Sequence, residues 1–248
     1  MDINSKQQVI FFDLGDTLIY FGGDWNDILR RSIRRLWKSL IKAGYSLDPD
    51  QFSQDFSYRM RNYYIERNKN LVEHTSARVL MEYLIDSGYS NPDDSIIRNA
   101  LSAMYSVSQE CWNVEPDAIL TLEWLKSKGY KIGLISNASD KEDVYTLLNQ
   151  FNLIDFFEHI IISAEFGLRK PHKDIFQEGL TLFSANPENC FMVGDRLDMD
   201  ILGAKKIGIT SIWISRRSVH KGKEHLFDIV PDFEIQSLDL LMEILGSE

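Results

Sequence analysis

A chain of 248 residues, 44% hydrophobic and 26% charged, holds one large domain or a core with a smaller insert, and its composition rules out a disordered or low-complexity protein. Its formal charge of -10 argues against nucleic acid or an anionic membrane as partner, since both demand clustered cations. Two cysteines, Cys111 and Cys190, both beside apolar residues, argue against a disulfide framework and for a reducing compartment. The stretch from Met1 to Gln8 is polar and lacks the apolar core of a signal peptide, and no run is long enough to span a bilayer. A cytoplasmic location is therefore expected.

In chain order, Val9 to Phe12 has the length and the β-branched and aromatic content of a strand buried on both faces, and it stops at Asp13. Helical spacing follows over 25–43 in Leu29, Ile33, Leu36, Trp37, Leu40 and Ile41, with Gly44 as the stop. Further helices are predicted over 50–67, 75–85 and 93–110, the last opened by Asn91-Pro92-Asp93-Asp94. No strand interrupts these helices, which predicts a small all-helical unit inserted after the first strand. From Glu115 the rhythm alternates. Helices over 118–128, 140–150, 173–183 and 198–207 are each followed by a strand, over 131–136, 157–163, 190–194 and 210–214, and a helix near 237–245 closes the chain. Such alternation predicts right-handed βαβ crossovers and a doubly wound parallel sheet covered on both faces, with the first strand as a member.

Four polar clusters sit just after apolar runs. Asp13 ends the first strand, where open α/β sheets bind ligands, although an N-cap role explains it equally well. Ser136-Asn137 ends the second and faces a helix start with capping-box spacing, suited to an anion or to ordinary turn chemistry. Arg169-Lys170-Pro171-His172 puts two cations in a loop ahead of a helix. Asp195, Asp198 and Asp200 crowd three carboxylates behind the strand ending at Gly194, and mutual repulsion there is relieved by a cation, with oxygen donors suiting Mg²⁺. Helix-start solvation accounts for Asp198 and Asp200 but poorly for Asp195.

Asp-x-x-x-Thr after strand one, then Ser-Asn, Lys-Pro and Gly-Asp-x-x-x-x-Asp, in that order, resemble the four motifs of the haloacid dehalogenase (HAD) superfamily. The ending Pro231-Asp232-Phe233-Glu234-Ile235 is also common there. The resemblance implies a Rossmann-like core over 1–20 and 113–248, with residues 21–112 as a helical cap of the C1 type. It further implies that Asp13 is a nucleophile forming a phospho-aspartate. Asp13, Asp195 and the backbone carbonyl of Gly15 would hold Mg²⁺, with Asp200 supporting that site. Ser136 and the Asn137 amide would bind the transferring phosphoryl group, Lys170 would neutralise it, and Thr17 matches the motif-one hydroxyl. A small phosphorylated metabolite is the implied substrate.

One departure stands out. Most phosphatases of the superfamily carry a second aspartate two residues after the nucleophile, as acid and base, whereas here that position is Gly15 and the acid is Asp16. On an extended path Asp16 points away from the face shared by Asp13 and Gly15, as a turn or cap residue, unless a bulge re-aims it. Other readings within the superfamily are a metal-free dehalogenase, which the acidic cluster opposes, and a phosphonate-cleaving enzyme using Lys38 or Lys42. Outside catalysis stands a binding or regulatory protein, which retention of Asp13, Lys170 and Asp195 opposes. Arg30, Arg31, Arg34 and Arg35 read as a solvated basic face or as a second anion site, and Tyr58, Tyr63 and Tyr64 as packing among the helices, the favoured reading, or as substrate contacts.

Overall fold

The computed structural model describes residues 8–217 and 228–246. Most of the polar N-terminal stretch, residues 1–7, lies outside them. Six strands form one parallel sheet in the order β5-β4-β1-β6-β7-β8, with β1 (Val9–Phe12) between β4 (Lys131–Ser136) and β6 (Cys190–Gly194). Beyond them lie β5 (His159–Ile162), β7 (Thr210–Ile214) and β8 (Phe233–Ile235).

Alternation along β1 splits the core. Ile10 and Phe12 pack with α5 (Ala118–Ser127), α6 (Lys141–Gln150) and α10 (Leu241–Leu245), while Val9 and Phe11 pack with α8 (Lys173–Phe183) and Ala204 of α9 (Leu202–Lys205). Both faces are thus covered, as the βαβ rhythm predicts. The chain leaves β1 toward β4 on one side and later returns to β6 on the other. That reversal opens a crevice at the carboxyl end of β1.

Between β2 (Ile19–Phe21) and β3 (Trp112–Val114), which pair antiparallel, run α1 (Trp25–Lys42), α2 (Pro49–Asn70), α3 (Ser76–Asp86) and α4 (Asp94–Gln109). Each starts on a side chain that accepts backbone N–H groups: Asp24, Asp48, Thr75 and Asp93. Their apolar faces meet in a core of their own around Leu36, Leu40, Phe52, Phe56, Leu80 and Leu101.

Several local expectations need correction. Asp93, not Asn91, caps α4; Asn91 takes a left-handed turn at φ 58°. Phe233–Ile235 is an edge strand rather than only a sequence signature. The helix expected over 198–207 is a π-helical turn at Leu197–Ile201 followed by the short α9. The short helix α7 (Ser163–Phe166) was not anticipated. Both cysteines are free, and no helix among the described residues is long and apolar enough to cross a membrane.

Candidate active site

Asp13 leaves the end of β1 with its N–H donating to Val193 O at 2.9 Å. Lys170, its side chain 1% exposed, donates from Nζ to Asp13 Oδ1 and to Ile135 O, each at 2.6 Å, and lies 2.7 Å from Asp200 Oδ1. An ammonium has three N–H donors, and here three acceptors surround it. Burial alone pulls the Lys170 pKa down, but Asp13 and Asp200 outweigh it, so the group is pushed up and stays charged. Asn137 clamps the loop, accepting from Lys170 N at 2.9 Å and donating to Lys170 O at 3.0 Å. The Lys170–Pro171 peptide is cis, and His172 caps α8.

Asp195 follows β6, and the Trp213 indole donates to its backbone carbonyl at 2.9 Å. In the adjoining π-turn the N–H groups of both Asp200 and Ile201 reach back to Arg196 O. The wider turn swings the Asp200 carboxylate inward, where Oδ2 accepts the Arg196 N–H at 3.0 Å. Only glycine tolerates this approach at position 194, because a Cβ there would stand 2.4 Å from Asp200 Cγ. Asp198 instead pairs with the Arg196 guanidinium at 2.8 and 2.9 Å, in keeping with its solvated reading.

Carboxylate oxygens of Asp13, Asp195 and Asp200 lie within 4.8 Å of one another. Burial, then the neighbouring carboxylates, push the Asp195 pKa up; burial and Asp13 do the same to Asp200 against the pull of Lys170. Three acidic groups with one buried ammonium carry surplus negative charge. Their oxygen donors fit a hard divalent cation that would relieve it.

The motif-one loop departs from the extended path assumed above. Asp16 has a left-handed backbone, φ 56°, and its N–H donates to Ile19 O at 2.6 Å. Alternation fails across such a turn, so Asp16 does not point away: it lines the same cavity of about 270 Å³ as Asp13, Gly15, Ser136, Lys170 and Asp195. Burial, then Asp13, raises its pKa. Thr17 is fully buried beneath. A Cβ at Gly15 would meet the Trp112 ring at 3.4 Å.

Arg67, Arg169 and Arg196 also line this cavity; no motif or spacing pointed to Arg67 or to the placement of Arg169. The arginines singled out from sequence, Arg30, Arg31, Arg34 and Arg35, are exposed on α1, with Arg30 and Arg31 beside Asp27 at 2.6 and 3.7 Å. Tyr63 packs in the helical core as expected, whereas Tyr58 is exposed. Glu73 was also missed. Its fully buried carboxylate accepts from Arg67 Nη1 at 2.9 Å, from Ser163 Oγ at 2.8 Å and from the Tyr63 hydroxyl. On either side of it, Glu73 N donates to Gly167 O at 2.9 Å and Arg169 N to Leu71 O at 3.0 Å. This short seam joins the helical unit to the loop that carries Lys170.

Comparison with known proteins bears on this constellation. The glyceraldehyde 3-phosphate phosphatase of Methanocaldococcus jannaschii is 30% identical over 236 residues, covering 95% of this chain and 96% of that protein. The enzyme of the same name from Pyrococcus furiosus is 29% identical over 245 residues, covering 97% of this chain and 94% of the other. Among solved structures, a HAD phosphatase from Thermococcus onnurineus superposes with a TM-score of 0.66 at 25% identity, covering 98% of this chain and 99% of that one. A family model described as haloacid dehalogenase-like hydrolase matches residues 7–208, from the strand that delivers Asp13 past the turn that delivers Asp200, and on that match the chain belongs to the haloacid dehalogenase-like hydrolases.

Proposed function

We propose that this protein is a Mg²⁺-dependent phosphatase of small phosphorylated metabolites that works through a phospho-aspartate on Asp13. The observation that carries the reading is the meeting of Asp13, Lys170 and Asp200 within 2.7 Å contacts, beside Asp195, at the carboxyl edge of the sheet. Names of the similar proteins, phosphatases of glyceraldehyde 3-phosphate, support the reaction class. Asp13, Asp195 and the Gly15 carbonyl would hold the cation, with Asp200 steadying the set. Bound Mg²⁺ would screen the nucleophile from the incoming anion and stabilise charge on the phosphoryl oxygens.

The Asp13 carboxylate attacks phosphorus, the bond to the leaving oxygen breaks, and the phosphoryl group is left on Asp13. Ser136 Oγ and the Asn137 N–H hold its oxygens while Lys170 offsets their charge. The leaving oxygen needs a proton, and Asp16 is the acid that the left-handed turn brings to the cavity. Water then attacks phosphorus, giving its proton to the Asp16 carboxylate as the bond to Asp13 breaks, which releases phosphate and restores both Asp13 and Asp16. We take residues 21–112 as a cap over a core formed by 1–20 and 113–248, supported by the separate core of α1–α4 and by Arg67 reaching the cavity.

A panel of phosphorylated metabolites with Mg²⁺ is the test, with Asp13→Asn as blank. Release of phosphate from at least one member, lost in Asp13→Asn and after chelation, is expected. Phosphate release that survives strong chelation overturns the Mg²⁺ requirement, and halide release from a 2-haloacid in the presence of chelator favours the metal-free dehalogenase chemistry instead.

A further inference from the structure

Arg169 poses a charge problem that the phosphatase chemistry leaves unanswered. Its side chain is 7% exposed, and among the described residues neither Nε nor Nη1 has a hydrogen-bond partner. The nearest carboxylate oxygen, Glu73 Oε2, is 3.8 Å from Nη1, beyond hydrogen-bond reach. Glu73 is already engaged by Arg67, Tyr63 and Ser163, so one buried carboxylate faces two guanidiniums. Arg196, which lines the same cavity, is committed to Asp198. A buried guanidinium with unmet donors is costly unless an anion completes it, and its planar fork suits an oxyanion taken in two hydrogen bonds.

We propose that Arg169, backed by Arg67, is a second oxyanion site, selecting phosphate monoesters that carry a carboxylate or a further phosphate a few bonds from the ester. Arg169 is the chain neighbour of Lys170 and lines the cavity that holds Asp13, so a group seated on it belongs to the same bound molecule. Glu73 then acts as a positioning residue, holding Arg67 and biasing both guanidiniums toward the cavity. This assignment rests on the phosphatase reading for its substrate but not for its binding test.

Titration calorimetry of the wild-type protein with Mg²⁺ compares propylphosphonate, 3-phosphonopropionate and propane-1,3-bisphosphonate. At least one of the two compounds with an anionic tail is expected to bind tenfold or more tightly than propylphosphonate, and which of them does so separates carboxylate from phosphate. Arg169→Gln should reduce that ratio to about one, and Arg169→Lys should keep part of it. Equal affinities in the wild type, a ratio that persists in Arg169→Gln, or binding of none of the three overturns the proposal. Should Arg169→Gln fail to fold, the wild-type ratio and Arg169→Lys decide: a ratio unchanged in Arg169→Lys also overturns it, because a point charge cannot replace the fork. A preference for the anionic tail without turnover of any phosphate ester sinks the phosphatase reading alone; turnover without that preference sinks this one alone.

Discussion

Lys170 and Asp16 illustrate how much depends on single side chains. Lys170 is almost wholly buried and meets acceptors from β1, β4 and the π-turn, so its position reports the convergence of three segments distant in sequence. Asp16 lines the cavity from a left-handed turn. If it protonates the leaving oxygen, Asp16→Asn should lower turnover of a simple alkyl phosphate by roughly 10²–10⁴-fold and that of an aryl phosphate far less, because a phenolate leaves unaided. Steady-state kinetics on the two esters check this, and equal losses on both would confine Asp16 to the turn. Asp13, Lys170 and Asp195 were legible in the sequence because each sits directly behind or between apolar runs that fix its place in the fold. Asp16 sits in a turn, as the sequence suggests, but alternation presumes extended backbone and so could not show that this turn borders the cavity. Arg67 was invisible for a plainer reason: its distance from the site exists only once α2 is packed.

Among the elements, the π-turn and α6 matter most to the chemistry and to the joint between helices and sheet. A regular α-helix from residue 198 would carry Asp200 elsewhere; the extra residue in the turn returns it to Arg196 N–H and Lys170. Periodicity cannot reveal such a turn, since the apolar spacing of a π-bulge and of an α-helix differ by one residue in a short segment. The strand at Phe233–Ile235 escaped for a similar reason, being three residues long with two of them exposed. At α6, Asp143 accepts from Gln109 Nε2 of α4 at 2.8 Å, and burial raises its pKa to about 7. From about pH 4 to 7 the folded chain keeps this proton while the unfolded chain has released it, so its effect is to lower stability as pH rises through that window. Asp143→Asn should therefore shrink the loss of stability between pH 5 and pH 8 by roughly 1–3 kcal/mol, less than full linkage because the side chain keeps some solvent contact. Urea unfolding of both proteins at the two pH values measures it, and an unchanged difference would contradict the assignment.

For the whole molecule, the doubly wound topology was legible because helix and strand periods alternate cleanly after Glu115, and the sheet order follows from right-handed crossovers and a single reversal. A chain that gathers three carboxylates within 4.8 Å should be held together better with its cation than without. At Mg²⁺ a hundredfold above its dissociation constant, unfolding should cost about 2.7 kcal/mol more, visible as a rise in melting temperature that Asp195→Asn largely removes. A wild-type melting curve indifferent to Mg²⁺ would count against the metal site. The main-chain seam at Leu71–Arg169 couples the helical layer to the loop that carries Lys170. Its two backbone bonds, each contributing roughly 0.5–1.5 kcal/mol net, are joined by a third from Ser76 N to Ser139 O at 2.8 Å and by the Arg98–Asp140 pair at 2.7 Å, while β2 and β3 connect the helical layer to the sheet domain at its other edge. Because Arg169 both anchors this clasp through its N–H and precedes Lys170 in the chain, any loosening of the helical layer is felt one residue away from the ammonium that meets Asp13.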